Sequence, residues 1–373
     1  MIQSQTLDHL SLVANQFKPQ GNIVAIAQHG NGNINHTFLI TLEGTTEKNF
    51  ILQRLNTRVF AQPELVMNNI CFFCDHVRQR LSKINAPTSA RQWQIPRVLL
   101  TSESKNYWIE DNQFFWRAMS FIDCSQCFDT IQDLNHAREI GYGLGMFHNL
   151  VSDLPSERLS DTLVGFHITP LYLQHYDRVL AQTKLSRSAE VNYCQQFIRD
   201  RTSLAYVLEN AKAEGKLKLR VIHGDPKINN IMLDCTTGKA ISMIDLDTVK
   251  PGLIHYDIGD CLRSGCNLLG EETLDWERVN FEPELAEAIL QGYLSVARDF
   301  LTDNDYEYIY DAIRLLAFEL GLRFFTDYLQ NNIYFKANYP EHNLNRALVQ
   351  FKLTESIEAQ ATLIQEIIED VRG

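Results

Sequence analysis

Apolar positions fall into two rhythms along the chain. Up to about residue 121, short stretches rich in β-branched and aromatic residues recur between Gly, Asn and Pro. They are Asn22–Gln28, His36–Leu42, Asn49–Leu55, Arg97–Thr101 and Phe114–Phe121. Such stretches predict strands. One run interrupts them with helical spacing, Pro63 to Lys83, carrying Leu65, Ile70, Phe73, Val77 and Leu81. An amphipathic helix is also predicted at the start, from Leu7, Leu10, Val13 and Phe17. Beyond residue 122 helical spacing dominates, over 133–151, 168–183, 188–213, 282–301, 304–330 and 343–371. A compact strand–loop–strand region at 219–247 breaks the series. The pattern predicts an α+β protein with a small β-rich N-lobe, residues 1–121, and a larger helical C-lobe, residues 122–373.

Composition agrees with two lobes. The chain has 373 residues, more than the roughly 100–200 of one typical domain. Apolar residues make up 45%, enough to bury real cores. The net charge of −12 gives nucleic acid and anionic membranes no attractive field, so neither is an expected partner. The first residues lack a basic segment followed by an apolar run, and no stretch is long enough to span a bilayer. A cytoplasmic monomer or weak homo-oligomer is expected. The eight cysteines then read as free thiols. Cys71 and Cys74, and Cys124 and Cys127, have ligand-like spacing. The first pair lies among Phe72, Phe73 and Val77, and no histidine cluster accompanies either.

The densest chemical signal is LRVIHGDPKINNIMLD followed by KAISMIDLD. An apolar strand leads into His223-Gly224-Asp225, Asn230 follows after a four-residue spacer, and a second strand delivers Asp245 and Asp247. The order matches the kinase catalytic loop, H-R-D-x-x-x-x-N, with a later metal-binding aspartate. Phosphoryl transfer needs a carboxylate to take the acceptor hydroxyl's proton. It also needs hard oxygen ligands for Mg²⁺, which an amide oxygen and a second carboxylate supply. Asp225 is thus the expected catalytic base, and Asn230 and Asp245 the expected metal ligands. His223 is expected to brace the loop. Asp247 divides between support of the site and a turn role.

The H-G-D-x4-N and I-D-x-D strings resemble the aminoglycoside phosphotransferase and choline kinase superfamily, small-molecule kinases with a protein-kinase-like two-lobed fold. The resemblance implies ATP and Mg²⁺ as cofactors. Glycine stands where protein kinases carry the arginine that answers an activation-loop phosphate. The stretch from Leu246 to Tyr256 is also too short for a long activation loop. In the N-lobe, His29-Gly30-Asn31-Gly32-Asn33-Ile34-Asn35 is a partial G-x-G-x-x-G, so Gly30, Asn31, Gly32 and Asn33 are candidates to cradle phosphates. The third strand, FILQRLN, should bring the phosphate-contacting cation. Strict matching puts Gln53 there and charge favours Arg54, with Glu64 as its helix partner. Adjacent strand residues face opposite sides, so only one of the two can serve. The segment Met119-Ser120-Phe121-Ile122 resembles the adenine-reading hinge, which makes Met119 and Phe121 nucleotide candidates.

Three further strings, VFAQPELVMNNI, MIDLDTVKPGLIHYDIGDCLR and GLRFFTDYLQNNIYFKANYPEHNLNRALVQ, resemble the N-acetylhexosamine 1-kinase group of that superfamily. This implies a small sugar as partner, phosphorylated at its anomeric hydroxyl. Arg323 and Tyr334 would contact it, and His36 could reach it from the edge of the phosphate loop. Two structural readings compete: Arg323 as an ion pair with Glu319 one turn earlier, and Tyr334 as packing against Phe335. Asp257 and Asp260 read as helix-start residues bracing the catalytic loop. An aminoglycoside, amino-alcohol or homoserine kinase remains open, as does a pseudokinase that binds nucleotide without catalysis. A cationic substrate would call for an uninterrupted set of carboxylates, yet Arg314 and Arg323 intervene among Asp305, Asp311, Glu319 and Asp327.

Overall fold

The computed structural model describes residues 7–17, 19–30, 34–83, 91–111, 113–183 and 188–373. It forms two compact units, Met1–Cys124 with Leu159–Leu163, and Ser125–Arg158 with Val164–Gly373.

The first unit runs α1 (Leu7–Asn15), β1 (Asn22–Gln28), β2 (His36–Glu43), β3 (Asn49–Leu55), α2 (Pro63–Lys83), β4 (Val98–Leu99), β5 (Trp108–Glu110) and β6 (Phe114–Ser120). The strands form one antiparallel sheet in the order β1-β2-β3-β6-β4, with β5 paired to β6. Alternation along the strands sorts their side chains by face. Ile40, Leu42, Phe50, Leu52, Trp116 and Ala118 meet Leu10, Val13, Ala14 and Phe17 from α1 and its exit. That confirms the amphipathic reading of the first helix. The opposite face belongs to α2, which buries Val66, Met67, Ile70, Phe73, Cys74 and Val77. The Asn69 amide ties Ser160 to this unit by its backbone oxygen at 2.8 Å and nitrogen at 2.9 Å.

The second unit opens with β7 (Ser125–Gln126) and α3 (Leu134–Val151), capped by the Asp133 carboxylate accepting from His136 N at 2.8 Å. It continues through α4 (Thr169–Gln182), α5 (Ala189–Asp200), α6 (Val207–Ala213), β8 (Arg220–Ile222), β9 (Ile231–Asp234), β10 (Ala240–Met243) and β11 (Lys250–Gly252). Then come α7 (Ile254–Gly265), α8 (Pro283–Ala297), α9 (Asp303–Glu307), α10 (Ile309–Leu329), α11 (His342–Ala359) and α12 (Ala361–Arg372). Helices α3 and α8 touch backbone to backbone. A Cβ on Gly141 would stand 1.8 Å from the Ile289 carbonyl, and one on Gly292 would stand 1.9 Å from that of Arg138. Both positions therefore exclude any larger residue. Helix α10 is apolar on most sides and packs against α4, α7 and α11.

Three expected helices are broken, and one of them, 304–330, divides at Tyr308 between α9 and α10. The 188–213 stretch divides at a 3-10 turn, Thr202–Tyr206, where the Thr202 hydroxyl bonds back to Ile198 O at 3.2 Å and Arg199 O at 3.1 Å. Such back-bonding competes with the helix ladder. The 343–371 stretch divides at Gln360, whose amide reaches out to the Phe281 carbonyl at 2.9 Å.

Candidate active site

Strand β8 pairs with β11, Ile222 opposite Lys250, and releases the chain into the loop His223–Asn230. One buried carboxylate organises its start. Asp257 accepts from His223 N at 2.6 Å, from Gly224 N at 2.8 Å, and from His148 Nε2 at 2.9 Å. Burial pushes its pKa up, but the His148 bond and the nearby imidazoles hold it below the usual carboxylate range. His148 is steadied in turn by the Tyr293 hydroxyl at 2.9 Å. Gly224 has φ +86°, and a Cβ there would lie 2.8 Å from the Thr248 carbonyl. The glycine in H-G-D is therefore a backbone requirement as well as the loss of an arginine.

His223 donates from Nε2 to Ile244 O at 2.8 Å and accepts from Asp225 N through Nδ1 at 3.3 Å. Burial pushes its pKa down, which suits this neutral tautomer. The Asn230 amide nitrogen donates to Asp225 O at 2.7 Å, which leaves its oxygen at the other end of the group. Asn230 O also accepts from Ile244 N at 2.9 Å, tying the loop to the residue before Asp245. Asp245 is exposed and left-handed, φ 63° and ψ 55°, a costly backbone for a non-glycine residue. Asp247 is buried at 2% exposure in the turn that follows.

Lys227 is absent from the sequence expectations. Its ammonium lies 2.9 Å from Asp225 Oδ2. Burial pushes Asp225 up, yet Lys227, with His223 and Arg263, holds its carboxyl below the ordinary value. Lys227 is raised in turn, first by Asp225 and also by Asp245 and Glu271. The available signal was its spacing, because side chains two apart in an extended loop point the same way.

A chain of contacts runs from this loop to Arg323. His167 Nε2 lies 2.8 Å from Gly224 O, its Nδ1 lies 2.9 Å from Glu319 Oε1, and Thr169 donates to Glu319 Oε2 at 2.6 Å. Arg323, one turn along α10, is 4.0 Å from Glu319. The Glu319 oxygens are thus engaged chiefly by His167 and Thr169. The Arg323 guanidinium sits among three rings, 5.3 Å from Phe166, 4.9 Å from Tyr172 and 5.4 Å from Phe335. Tyr334 is 54% exposed and edge-on to Phe335. Asp327 holds their loop by accepting from Tyr334 N at 2.8 Å and Phe335 N at 2.9 Å. Nothing in the sequence pointed to His167, a lone histidine far along the chain from Gly224.

The nucleotide candidates lie in the first unit. Asn31, Gly32 and Asn33 are outside the described residues. Gly30 has φ +73°, and the neighbouring His29 rests edge-on against Phe121 with ring centres 6.0 Å apart. The turn after β1 and the segment after β6 therefore meet. Met119 is buried and pairs with Ile51 and Val98. His36 and Arg54 are cross-strand partners, and Arg54 also faces Trp116, so all three share the face that α1 covers. Partial shielding and the Arg54 charge lower the His36 pKa. The Arg54 guanidinium lies 4.9 Å from the Phe114 ring and 5.9 Å from Trp116. The expected Arg54–Glu64 pair does not form. Arg54 projects from the side of the sheet away from α2, and Glu64 is exposed.

Hard oxygen donors at Asn230 and Asp245 suit Mg²⁺. Among the described residues no group of three or more His, Cys, Asp or Glu side chains could hold a metal ion, so Mg²⁺ would draw its remaining ligands from phosphate and water. Residues 25–307 match the APH phosphotransferase enzyme family. The chain belongs to that family. It is accordingly an ATP-dependent phosphotransferase acting on a hydroxyl acceptor. Its fold is shared with solved small-molecule kinases. An aminoglycoside phosphotransferase from Alicyclobacillus acidocaldarius aligns at TM-score 0.63 and 15% identity, covering 96% of each chain. A choline kinase from Cryptosporidium parvum aligns at 0.61 and 15%, covering 97% of this chain and 98% of its own. A microcompartment-associated aminopropanol kinase aligns at 0.60 and 13%, covering 96% and 99%. No helix among the described residues is long and apolar enough to cross a membrane.

Proposed function

We propose that this phosphotransferase moves the γ-phosphoryl group of ATP to the anomeric hydroxyl of an N-acetylhexosamine, giving the sugar 1-phosphate. The observation that carries the choice of acceptor is Arg323. Its guanidinium, boxed by Phe166, Tyr172 and Phe335, is linked through Glu319 and His167 to the loop of Asp225. A fixed cation beside the base repels amine acceptors, and its fork of donors suits the oxygens of a neutral sugar. Lys227 and Arg263 add positive charge near Asp225. The sequence strings resembling N-acetylhexosamine 1-kinases support the same reading.

In this mechanism Asp225 accepts the proton of the attacking hydroxyl, and its low pKa keeps it ionised at neutral pH. Lys227 remains an ammonium and offers charge to the transferring group. Asn230 and Asp245 would hold Mg²⁺, which neutralises charge on the phosphates when bound. A divalent metal fits the company of the fold, since an amicoumacin kinase of like structure, at TM-score 0.56, was solved with AMP-PNP and Ca²⁺. Arg323 and Tyr334 orient the sugar.

The test is product analysis by phosphorus NMR after incubation with ATP and GlcNAc, GalNAc, choline, homoserine or kanamycin. Phosphate coupled to an anomeric proton supports the reading. Turnover confined to the amines keeps the kinase and rejects the sugar.

A further inference from the structure

Two adjacent carboxylates, Glu271 and Glu272, stand in the loop that joins α7 to α8. Glu282 N closes the ends of this loop by donating to Cys266 O at 3.0 Å. The chain turns at Gly270, φ +74°, whose N–H donates to Asn267 O at 3.1 Å. Beyond the turn the two side chains take separate partners.

Glu272 goes to α11. It accepts from His342 Nε2 at 2.5 Å and from Arg346 Nη2. His342 Nδ1 accepts from Asn338 N at 3.1 Å, so Nε2 is the nitrogen that carries the proton. Arg346 Nη1 donates in turn to Lys336 O at 3.0 Å. Lys336 and Asn338 belong to the loop of Tyr334, so Glu272 fastens one loop to the other.

Glu271 turns to α7. Its carboxylate stands 3.7 Å from Arg263 Nη1, near enough for charge and too far for a hydrogen bond. Arg263 is engaged more closely by Asp260, at 2.8 Å from its Nε. The Glu271 side chain is 34% exposed, so a ligand can reach it. Helix α7 is seated on the catalytic loop through Asp257, and Arg263 follows about 9 Å further along its axis. The electrostatics agree with that placement. Burial raises Asp225, and Arg263 is among the charges that hold it low. Lys227 is raised first by Asp225 and also by Glu271.

We propose that Glu271 is an acceptor-binding residue, taking a hydrogen bond from a second hydroxyl of the sugar, and that Glu272 is the positioning residue that holds it there. The proposal rests on the reading of the acceptor as a sugar. Between Arg263 and Lys227 the Glu271 charge is already answered, so the carboxylate offers an amine little. A hydroxyl needs only its lone pairs.

The test is steady-state kinetics of the full chain as wild type, Glu271→Ala, Glu271→Gln and Glu272→Ala. The acceptors are GlcNAc and its deoxy analogues, each lacking one hydroxyl other than the anomeric. Glu271→Ala should lower kcat/KM for GlcNAc by about 10–100-fold, the scale of a hydrogen bond to a charged group, with ATP KM unchanged. One deoxy analogue should lose the same factor with wild type and nothing further with Glu271→Ala, because each change removes the same bond. Glu271→Gln, which keeps an oxygen acceptor, should recover part of the loss. Glu272→Ala should raise the GlcNAc KM several-fold and leave the ATP KM alone. A Glu271→Ala chain that discriminates against every deoxy analogue as wild type does overturns the proposal. So does an equal loss for GlcNAc and ATP, which would mark Glu271 as structural. A wild-type chain that phosphorylates amines and no sugar refutes the sugar reading itself, and Glu271's role with it.

Discussion

His167 Nε2 lies 2.8 Å from the carbonyl oxygen of Gly224, the residue before Asp225. Both neighbours of this imidazole are acceptors, the Gly224 carbonyl and the Glu319 carboxylate, so both ring nitrogens carry protons. Burial opposes that charge, but Glu319 and the two hydrogen bonds raise the His167 pKa above its ordinary value. The imidazolium joins the catalytic loop to the helix turn that carries Arg323.

Breaking this link should affect the acceptor more than the nucleotide. His167→Gln, which retains one donor, is expected to raise KM for the acceptor several-fold with ATP KM unchanged. His167→Phe is expected to cost more, about 10–100-fold in acceptor kcat/KM, the scale of a charge-assisted hydrogen bond. Steady-state kinetics with each substrate varied in turn will check it. Equal effects on both KM values would contradict a positioning role.

His255 gives a pH prediction with a definite sign. It is 1% exposed, donates from Nε2 to Asp305 O at 2.9 Å, and has its pKa lowered to about 4, first by burial, with Asp305 opposing and Arg220 and His148 assisting. The fold therefore favours the neutral ring, while the unfolded chain protonates near 6.5. The stability is fully present above about 6.5 and is lost as pH falls towards 4. A shift of that size is worth roughly 3 kcal/mol. His255→Gln keeps an N–H donor without the titration. Urea unfolding should show its stability falling less steeply than wild type across that window; parallel curves would refute the assignment.

Asp225→Asn should cut kcat by about 10²–10⁴-fold, the contribution of a positioned acid–base group. ATP affinity should change little. Single-turnover rates separate this from a defect in product release. A variant with near-normal turnover removes Asp225 from the chemistry.

Mg²⁺ should bind well only in the presence of nucleotide. The protein offers Asn230 and Asp245, and phosphate oxygens complete the set. Calorimetry of Mg²⁺ with and without ATP tests this, and tight binding to the empty protein would contradict it. Asp245→Ala should abolish the nucleotide-dependent metal response.

Much of the fold was legible because its burial is periodic. The alternation of β2 and β3 and the apolar stripes of α2 and α3 mark their faces directly. The short strands β5, β7 and β11 were not legible, since two or three residues carry no period. The α5–α6 break depended on Thr202 choosing backbone carbonyls of the preceding turn, which composition does not announce. In the site, His223, Asp225, Asn230 and Asp245 stood out because one short loop and one hairpin bring them together in sequence. His167 and Glu319 did not, because their meeting with Gly224 is made by tertiary packing alone. The choice between Gln53 and Arg54 turned on which face α2 covers, and strand alternation leaves that open.

Arg323→Ala tests the acceptor reading most directly. The guanidinium is 14% exposed on its side chain, and Glu319 is held chiefly by His167 and Thr169. Removing Arg323 therefore leaves that carboxylate partnered, so the fold should survive and the loss should fall on substrate. An arginine fork that meets sugar oxygens contributes about 1.5–3 kcal/mol as a charge-assisted hydrogen bond, so kcat/KM for GlcNAc or GalNAc should drop by roughly 10–150-fold. ATP affinity should stay near wild type. The electrostatic half of the argument makes a second demand. With the cation gone, amine acceptors are no longer repelled, so the ratio of choline to sugar turnover should rise. The two arms are read together by coupled ADP release and phosphorus NMR. A variant that keeps full sugar turnover takes Arg323 out of the acceptor site. One that loses ATP binding and thermal stability along with sugar use shows Arg323 acting as a structural member of its aromatic box.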